Sequence, residues 1–419
     1  MAIFYAGLSG ALSLLVTFIC ARIMGAYDYS WIVLGIAIGS IIIPIINLGS
    51  DRTLIRDLTY LKSDTDRSIF ITKNTSFRLM TFLSISLLSS IIIYYIIDSP
   101  LPFKFSLWCI ILWTLLQGCY PFSLFDFVGM TNLQNRLTVF ERLTAVIIVT
   151  VLAISLFNSQ LLLVISITLL ITRLISIISQ YKAWNSLNKS ISFQSSQLFS
   201  KIDLSSVNIR ITLIQFSSGL ILYANQIFLK SSNQLSSLAA YGLICQVLNI
   251  VLVFQGQSLR LFSRQISESC RHPSPNTLRL LLRHLLAMLF ISIAFSMASW
   301  ILIQIISHFL STKNFSDITL LATPMCLWAA LTGIGLVSSQ YLIGMRFDTA
   351  YSRINIIGGF VSLVSGFYLV PTHGAIMAAY LLLTIHGTMI MAQLFFVFFA
   401  LNQHLNNNIE SSQKGSPND

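Results

Sequence analysis

The sequence predicts an all-α integral membrane protein of about twelve transmembrane helices, and two observations lead to this fold class. The first is a series of apolar runs of about twenty residues, each long enough to cross the roughly 30 Å hydrocarbon core of a bilayer as a helix. Only 9% of the 419 residues are charged and 55% are hydrophobic. The second is the position of the basic residues, most of which fall in alternate connections between the runs. A β-barrel is excluded, because barrel strands alternate apolar and polar residues and these runs do not.

Hydropathy windows of about nineteen residues delimit the spans in chain order. The first six cover residues 3–24, 29–48, 77–97, 105–127, 138–157 and 160–181. The second six cover residues 209–229, 238–257, 285–310, 319–345, 354–370 and 374–401. Each span is uncharged or nearly so over a length that fits a membrane helix.

The basic residues predict the orientation. If the N-terminus is cytoplasmic, 21 of the 25 Lys and Arg residues lie on the inner side or at adjoining helix ends. The outer side then holds Arg22, Lys104, Lys230 and Lys313. Because cytoplasmic loops retain positive charge, both termini are predicted to be cytoplasmic. The net charge of +11 therefore reflects topology, and we expect no nucleic-acid partner.

The longest polar stretch predicts a division of the chain into two halves. Residues 1–181 form an N-terminal six-helix bundle, residues 182–208 a cytoplasmic linker and residues 209–401 a C-terminal six-helix bundle. Residues 402–419 form a polar cytoplasmic tail. Two six-helix bundles around a central cavity are a recurring transporter plan, in which the halves rock to give alternating access.

Charged residues inside the spans are candidate functional groups, because a charge in hydrocarbon usually faces a cavity or a partner. Arg173 lies about 12 Å inside the cytoplasmic end of the sixth span, so it either faces a cavity, reaches to the interface or pairs within the bundle. Arg22 is a candidate substrate ligand or a head-group contact at the outer end of the first span. Asp126 is a possible coupling or ion-pair residue. Glu141 and Arg142 are predicted to be interfacial.

Two further groups of side chains are weaker candidates. Amides concentrate in the seventh and eighth spans, where they could bind sugar hydroxyls or pair helices. The amide candidates are Gln215, Asn225, Gln226, Gln246 and Asn249. Four inner arginines mark a possible cytoplasmic entrance or simply enforce the topology, namely Arg52, Arg56, Arg260 and Arg264.

The sequence carries no pattern typical of an enzyme or a metalloprotein. The six histidines have no zinc spacing, the six cysteines have no metal or redox spacing, and no P-loop is present. We therefore expect no metal, no cofactor and no catalytic residue.

Three stretches resemble the bacterial polysaccharide transporters of the multidrug/oligosaccharidyl-lipid/polysaccharide exporter superfamily. Residues 21–27 read Ala-Arg-Ile-Met-Gly-Ala-Tyr, similar to the family's Arg-x-Leu-Gly turn with a following aromatic. Residues 47–49, with Leu54, Ile55 and Arg56 after them, are similar to its Asp-x-Gly and Leu-Ile-Arg elements, although Asn47 replaces the acid. Residues 369–374 resemble its Leu-Ile-Pro-x-Tyr-Gly entry into the last helices.

The resemblance implies a function and a location. It implies a flippase that moves an undecaprenyl-diphosphate-linked oligosaccharide across the bacterial inner membrane. It also implies the two six-helix bundles of the multidrug (MATE-like) members of the superfamily. Its partners would be that lipid-linked substrate, membrane lipid and other polysaccharide-assembly membrane proteins. Two alternatives stay open: a drug/cation antiporter of the same superfamily, and a membrane polysaccharide polymerase or glycosyltransferase.

Overall fold

The computed structural model describes residues 2–47, 54, 58, 61, 63–120, 122–155, 160–187, 209–271, 275–310, 315 and 317–414. All regular secondary structure in these ranges is helical. The helices are Ala2–Asn47, Asp64–Ile96, Leu101–Leu115 with a 3₁₀ turn at Leu116–Cys119, Phe122–Phe127, Thr131–Ser155, Leu161–Leu187, Ile209–Ser231, Leu235–Arg271, Pro275–Leu310, Ile318–Gly344 and Asp348–Lys414.

Two glycines each divide one long helix into two spans. Gly25 has φ 76° inside the helix Ala2–Asn47, and Gly374 has φ 75° inside the helix Asp348–Lys414. Glycine adopts this left-handed region without the steric cost that a Cβ brings. Ten helices in the described residues are long and apolar enough to cross a membrane, and two of them are the divided helices. The spans number twelve, as predicted, and they are called the first to the twelfth in chain order.

The ends of several helices differ from the predicted boundaries. The third span begins at Asp64 and not at residue 77, because polar residues there remain helical. The hydroxyls of Thr72 and Ser76 donate to the backbone carbonyls of Ser68 and Thr72 at 2.8 and 2.7 Å, so they need no loop conformation to find partners.

Two predicted polar segments also begin as helix. The sixth span continues to Leu187, so the first residues of the predicted linker 182–208 are helical, while residues 188–208 lie outside the described part. The twelfth span continues to Lys414, through most of the predicted tail 402–419. Hydropathy falls before the backbone hydrogen bonding ends, which is why a window of apolar residues places both boundaries early.

The spans pack as two groups that meet along the first helix. In the N-terminal half, the helix Ala2–Asn47 contacts the fourth and fifth spans, and the sixth packs on the fourth and fifth. In the C-terminal half, the seventh span packs on the helix Asp348–Lys414, and the tenth packs on the eighth, the ninth and that same helix. The helix Ala2–Asn47 also contacts the seventh and eighth spans, which joins the halves.

Glycines permit the closest approaches between the halves. A Cβ on Gly7 of the first span would lie 2.9 Å from the ring of Phe254 in the eighth. A Cβ on Gly219 of the seventh would lie 3.2 Å from the Cα of Ile41 in the second. Such small residues let membrane helices approach until their backbones are almost in contact.

The outer surface of the bundle is apolar, as a lipid-facing surface must be. Large apolar side chains are exposed along the third, ninth and eleventh spans, for example Leu87 at 66%, Phe290 at 72% and Phe360 at 66%. In water such a large exposed apolar surface would promote aggregation, whereas in a bilayer it contacts lipid chains. The protein is therefore a multi-pass membrane protein.

Candidate functional site

A polar cavity of about 630 Å³ lies between the two halves. The first, second, fourth, fifth and sixth spans line one side, and the seventh and eighth spans line the other. Its polar lining residues are Ser9, Ser13, Ser40, Thr114, Gln117, Asn135, Thr138, Arg142, Arg173, Tyr223, Gln246 and Asn249. The volume falls in the range of about 300–1,000 Å³ that is usual for small-molecule sites.

Arg173 of the sixth span is held on the wall of this cavity by three side chains. Its Nε lies 2.7 Å from Oε1 of Glu141. Its guanidinium carbon lies 4.7 Å from the ring centre of Trp113 and 5.4 Å from that of Tyr120. The sequence left open whether Arg173 faces a cavity or pairs within the bundle. In the structure it does both.

Glu141 is not interfacial, contrary to the sequence prediction. The fifth span begins at Thr131 and not at residue 138, so Glu141 lies ten residues, or about 15 Å, along the helix. Its carboxylate is buried and accepts a hydrogen bond from the hydroxyl of Tyr120 in addition to pairing with Arg173. The hydroxyl oxygen of Tyr120 also lies 3.3 Å from that of Ser176 and can accept a hydrogen bond from it.

Arg142 is likewise inside the bundle and lines the cavity. Its guanidinium carbon lies 5.8 Å from the ring centre of Trp113. Its Nε has no hydrogen-bond partner, and within the described ranges no carboxylate lies within ion-pair distance of it. With Glu141 ionised and paired to Arg173, the cavity wall carries one positive charge in excess.

Two of the five amide candidates lie in the cavity. Gln246 and Asn249 line it from the eighth span, and Nδ2 of Asn249 donates to Oε1 of Gln246 at 3.4 Å. They are three residues apart and so share a helix face. Tyr223 of the seventh span lines the same side of the cavity and was not a sequence candidate.

The three amide candidates of the seventh span are placed elsewhere. Gln215 is half-buried and does not line the cavity. Nδ2 of Asn225 donates to the carbonyl of Ala378 in the twelfth span at 3.2 Å, and Gln226 contacts the sulfur of Cys245 at 3.6 Å. Asn225 and Gln226 connect helices instead of lining the cavity, because their positions around the seventh span differ from that of Tyr223.

The remaining charged candidates lie near the ends of the spans. Arg22 is exposed and donates to the backbone carbonyl of Phe309 at the outer end of the ninth span, outside the cavity. Asp126 accepts from Thr131 at 2.8 Å and lies 3.8 Å from Nη2 of Arg260 in the eighth span, so it is an ion-pair residue that joins the halves. Arg52, Arg56 and the Arg264 side chain lie outside the described residues.

Aromatic and basic residues join the halves near the predicted outer ends of the spans. Nζ of Lys230 lies 3.9 Å from the ring centre of Trp31, which joins the end of the seventh span to the start of the second. Tyr29 contacts Phe315 with 6.1 Å between the ring centres. The Asp126–Arg260 pair is the corresponding contact towards the predicted inner side.

The sequence contains a signal that could have found Glu141 and Arg142. Residues 131–137 have the polar composition of a helix start, and placing the start there carries residues 141 and 142 deep into the fifth span. Tyr120 and Trp113 carry no such signal, because their role depends on which face of the fourth span meets Arg173.

Three comparisons with known proteins were made. No family model matches the chain, and no curated protein sequence matches it. Among solved structures, the chain resembles "Lipid II flippase MurJ, inward closed conformation" at 12% identity, covering 99% of this chain and 93% of that one, with a TM-score of 0.60.

Two multidrug transporters are similar over comparable lengths. An outward-facing MATE family transporter of the MOP superfamily matches at 11% identity and TM-score 0.58, covering 97% of this chain and 96% of that one. The Vibrio cholerae MATE transporter VcmN in its bent form matches at 14% identity and TM-score 0.54, covering 97% of each chain. At these identities the likeness establishes the shared MATE/MurJ-like fold, in agreement with the predicted fold class.

Proposed function

We propose that this protein is a flippase that moves an undecaprenyl-diphosphate-linked oligosaccharide, a repeat unit of O-antigen or a related surface polysaccharide, across the bacterial inner membrane by alternating access. The observation that carries the proposal is the uncompensated Arg142 beside Arg173 in a cavity between the halves. Arginine binds phosphate through a planar fork of donors, and in a low-dielectric cavity that attraction is weakly screened.

The two walls of the cavity suit the two parts of such a head group. The N-terminal half supplies Arg142 and Arg173, which attract a diphosphate. The C-terminal half supplies Tyr223, Gln246 and Asn249, whose hydroxyl and amide groups both donate and accept hydrogen bonds, as sugar hydroxyls require. Because each half holds part of the ligand, rocking of the halves would carry the head group across.

A cation antiporter fits these residues less well. Binding a cationic drug requires an acidic group in the cavity, and Glu141, the acid nearest to it, already pairs with Arg173. The net positive wall would repel a cation.

A polymerase or glycosyltransferase also fits less well. Such an enzyme usually requires a large outer loop with charged catalytic residues. The predicted outer connections are short, at residues 97–100, 156–160, 232–234 and 311–317.

A deletion strain tests the function directly. Without a flippase, lipid-linked single repeat units should accumulate on the inner leaflet and long surface polysaccharide should be lost. Wild-type protein should restore the polysaccharide, whereas Arg142→Ala should restore less than about a tenth of it, an effect that corresponds to losing roughly 1.4 kcal/mol of binding. Arg279→Ala is the matched control, because Arg279 is exposed at the start of the ninth span.

Two outcomes would contradict the proposal. Single repeat units that still reach the surface of the deletion strain would indicate a polymerase defect. Altered drug tolerance with unchanged polysaccharide would indicate an antiporter.

A further inference from the structure

A groove of about 330 Å³ runs along the lipid-facing side of the fifth and sixth spans. Large apolar side chains flank it and are exposed towards the lipid: Phe140 at 70%, Ile171 at 49% and Ile175 at 60%. Between them the two helices present small side chains such as Thr144, Thr168 and Ser176, which leave the groove open. This lipid-facing groove is separate from the polar cavity between the halves.

The three threonine hydroxyls that line the groove already have partners. Thr144 donates to the carbonyl of Phe140 at 2.9 Å, Thr168 to that of Val164 at 2.8 Å and Thr172 to that of Leu169 at 2.9 Å. Because these bonds stay within each helix, the groove needs no polar ligand and presents a mainly hydrocarbon surface. Its occupant should be a hydrocarbon chain.

The groove passes the ion pair that borders the cavity. Glu141 and Ser176 line the groove, while Arg173, 2.7 Å from Glu141, lines the cavity. A ligand in the groove is therefore one side chain away from the two arginines. Glu141 is about 15 Å along the fifth span, deep in the membrane, whereas the head group of a bulk phospholipid lies at the surface.

The routes between the halves are closed by glycine contacts. Gly7 and Gly10 of the first span pack against Phe254 and Ile250 of the eighth. Gly219 of the seventh packs against the backbone of the second at Ile41. A chain attached to a head group in the cavity would have to separate these helices to leave there, whereas the groove is open to the lipid and the Glu141–Arg173 pair lies between it and the cavity.

We infer that this groove holds the part of the polyprenyl tail nearest the diphosphate of the lipid-linked substrate, with the diphosphate end at the Glu141–Arg173 pair and the sugars in the cavity. The inference rests on the proposed function and adds a binding site to it. The tail site differs from the interface between the halves, which is the other lateral exit available to a lipid tail. The Glu141–Arg173 pair then divides the hydrocarbon part of the ligand from its charged part.

Binding of two diphosphates that differ only in chain length tests the inference. The purified protein is titrated with undecaprenyl diphosphate and with methyl diphosphate, whose single carbon does not extend along the groove. Thr168→Trp and Thr144→Trp fill the groove and should weaken binding of the long-chain ligand by about tenfold or more, while binding of the short ligand changes by less than about twofold. The matched controls Ile147→Trp and Ile178→Trp place the same ring on lipid-facing positions of the same helices outside the groove, and should change neither affinity.

The cavity variants separate this inference from the proposed function. Arg142→Ala should weaken binding of both diphosphates. If it weakens neither, the proposed function fails, whatever the groove variants do. If it weakens both but the groove variants leave the long-chain affinity unchanged, the function stands and the tail site is wrong.

A photoreactive undecaprenyl diphosphate with its label on the chain provides a second measurement on the unmodified protein. Cross-links should map to residues 137–179 of the fifth and sixth spans. Cross-links between the first and eighth spans would overturn the inference. Equal competition by phosphatidylglycerol and by unlabelled undecaprenyl diphosphate would also overturn it, because the groove would then hold any lipid chain.

Discussion

At the scale of single residues, the site depends on an ion pair that is almost completely removed from solvent. The side chains of Arg173 and Glu141 are each 3% exposed and are surrounded by Trp113 and Tyr120. Removing one partner of a buried pair leaves an uncompensated charge in a low-dielectric interior, which costs more than removing both. Arg142 differs from Arg173, because it has neighbours of favourable geometry but no acid of its own.

A double-mutant cycle measures this coupling. Glu141→Gln alone and Arg173→Gln alone should each lower the free energy of unfolding by about 3–5 kcal/mol. The double variant should lower it by clearly less than the sum, because neither member of the pair is then left buried without the other. Thermal unfolding in detergent is the measurement.

The pair of Asp126 and Arg260 is the matched control for that cycle. It is 3.8 Å long and the Arg260 side chain is 60% exposed, so Asp126→Asn should change the free energy of unfolding by no more than about 1 kcal/mol. Strictly additive effects at Glu141 and Arg173 would mean that the two charges are stabilised independently, in contradiction to the geometry.

At the scale of the helices, the second and eighth spans contact each other so closely that one glycine has no room for a side chain. A Cβ on Gly242 would overlap the side chain of Val33. Val33 is β-branched and buried, so it has little freedom to rotate away. The contact therefore sets the distance between the halves on this side of the cavity.

Gly242→Ala should consequently destabilise the protein by about 1–3 kcal/mol, the usual cost of overpacking. Val33→Ala in the same chain should restore most of the lost stability, since it removes the methyl groups that the new Cβ meets. The control is Gly256→Ala, farther along the same helix, where a Cβ meets no atom within 4 Å. Thermal unfolding of the three variants checks the result, and a Gly242→Ala protein as stable as the Gly256→Ala protein would show that the helices can separate at no cost.

At the scale of the whole molecule, the twelve spans of the described residues agree with the hydropathy pattern, and the orientation remains a prediction from charge. The fold itself has no preferred direction in the bilayer. With 21 of 25 basic residues on one side, insertion with that side in the cytoplasm is strongly favoured.

Reporter fusions test the orientation. Fusions after Lys62, Lys189 and Arg271 should be active as cytoplasmic reporters, and fusions after Lys104, Lys230 and Lys313 as periplasmic reporters. If the positions of the basic residues set the topology, all six fusions must report the predicted side of the membrane. A reproducible reversal of any fusion in the first half would contradict the model.

The sequence by itself determined the helical class, the number of spans and the presence of a deep arginine in the sixth span. These properties follow from local quantities, since the length of an apolar run sets whether it can cross a bilayer. The divided helices at Gly25 and Gly374 did not disturb this count, because each arm keeps its own apolar run.

Only the tertiary structure decided which polar residues share the cavity. Gln246 and Asn249 line it while Asn225 and Gln226 bond to neighbouring helices, although all four are amides in adjacent spans. The sequence predicted Glu141 and Arg142 at the membrane interface. Because the fifth span begins at Thr131, the structure places both residues at the centre of the site. Hydropathy records how apolar a segment is. The face that each helix turns towards its neighbours depends instead on packing between segments far apart in the chain. That packing assembles the site.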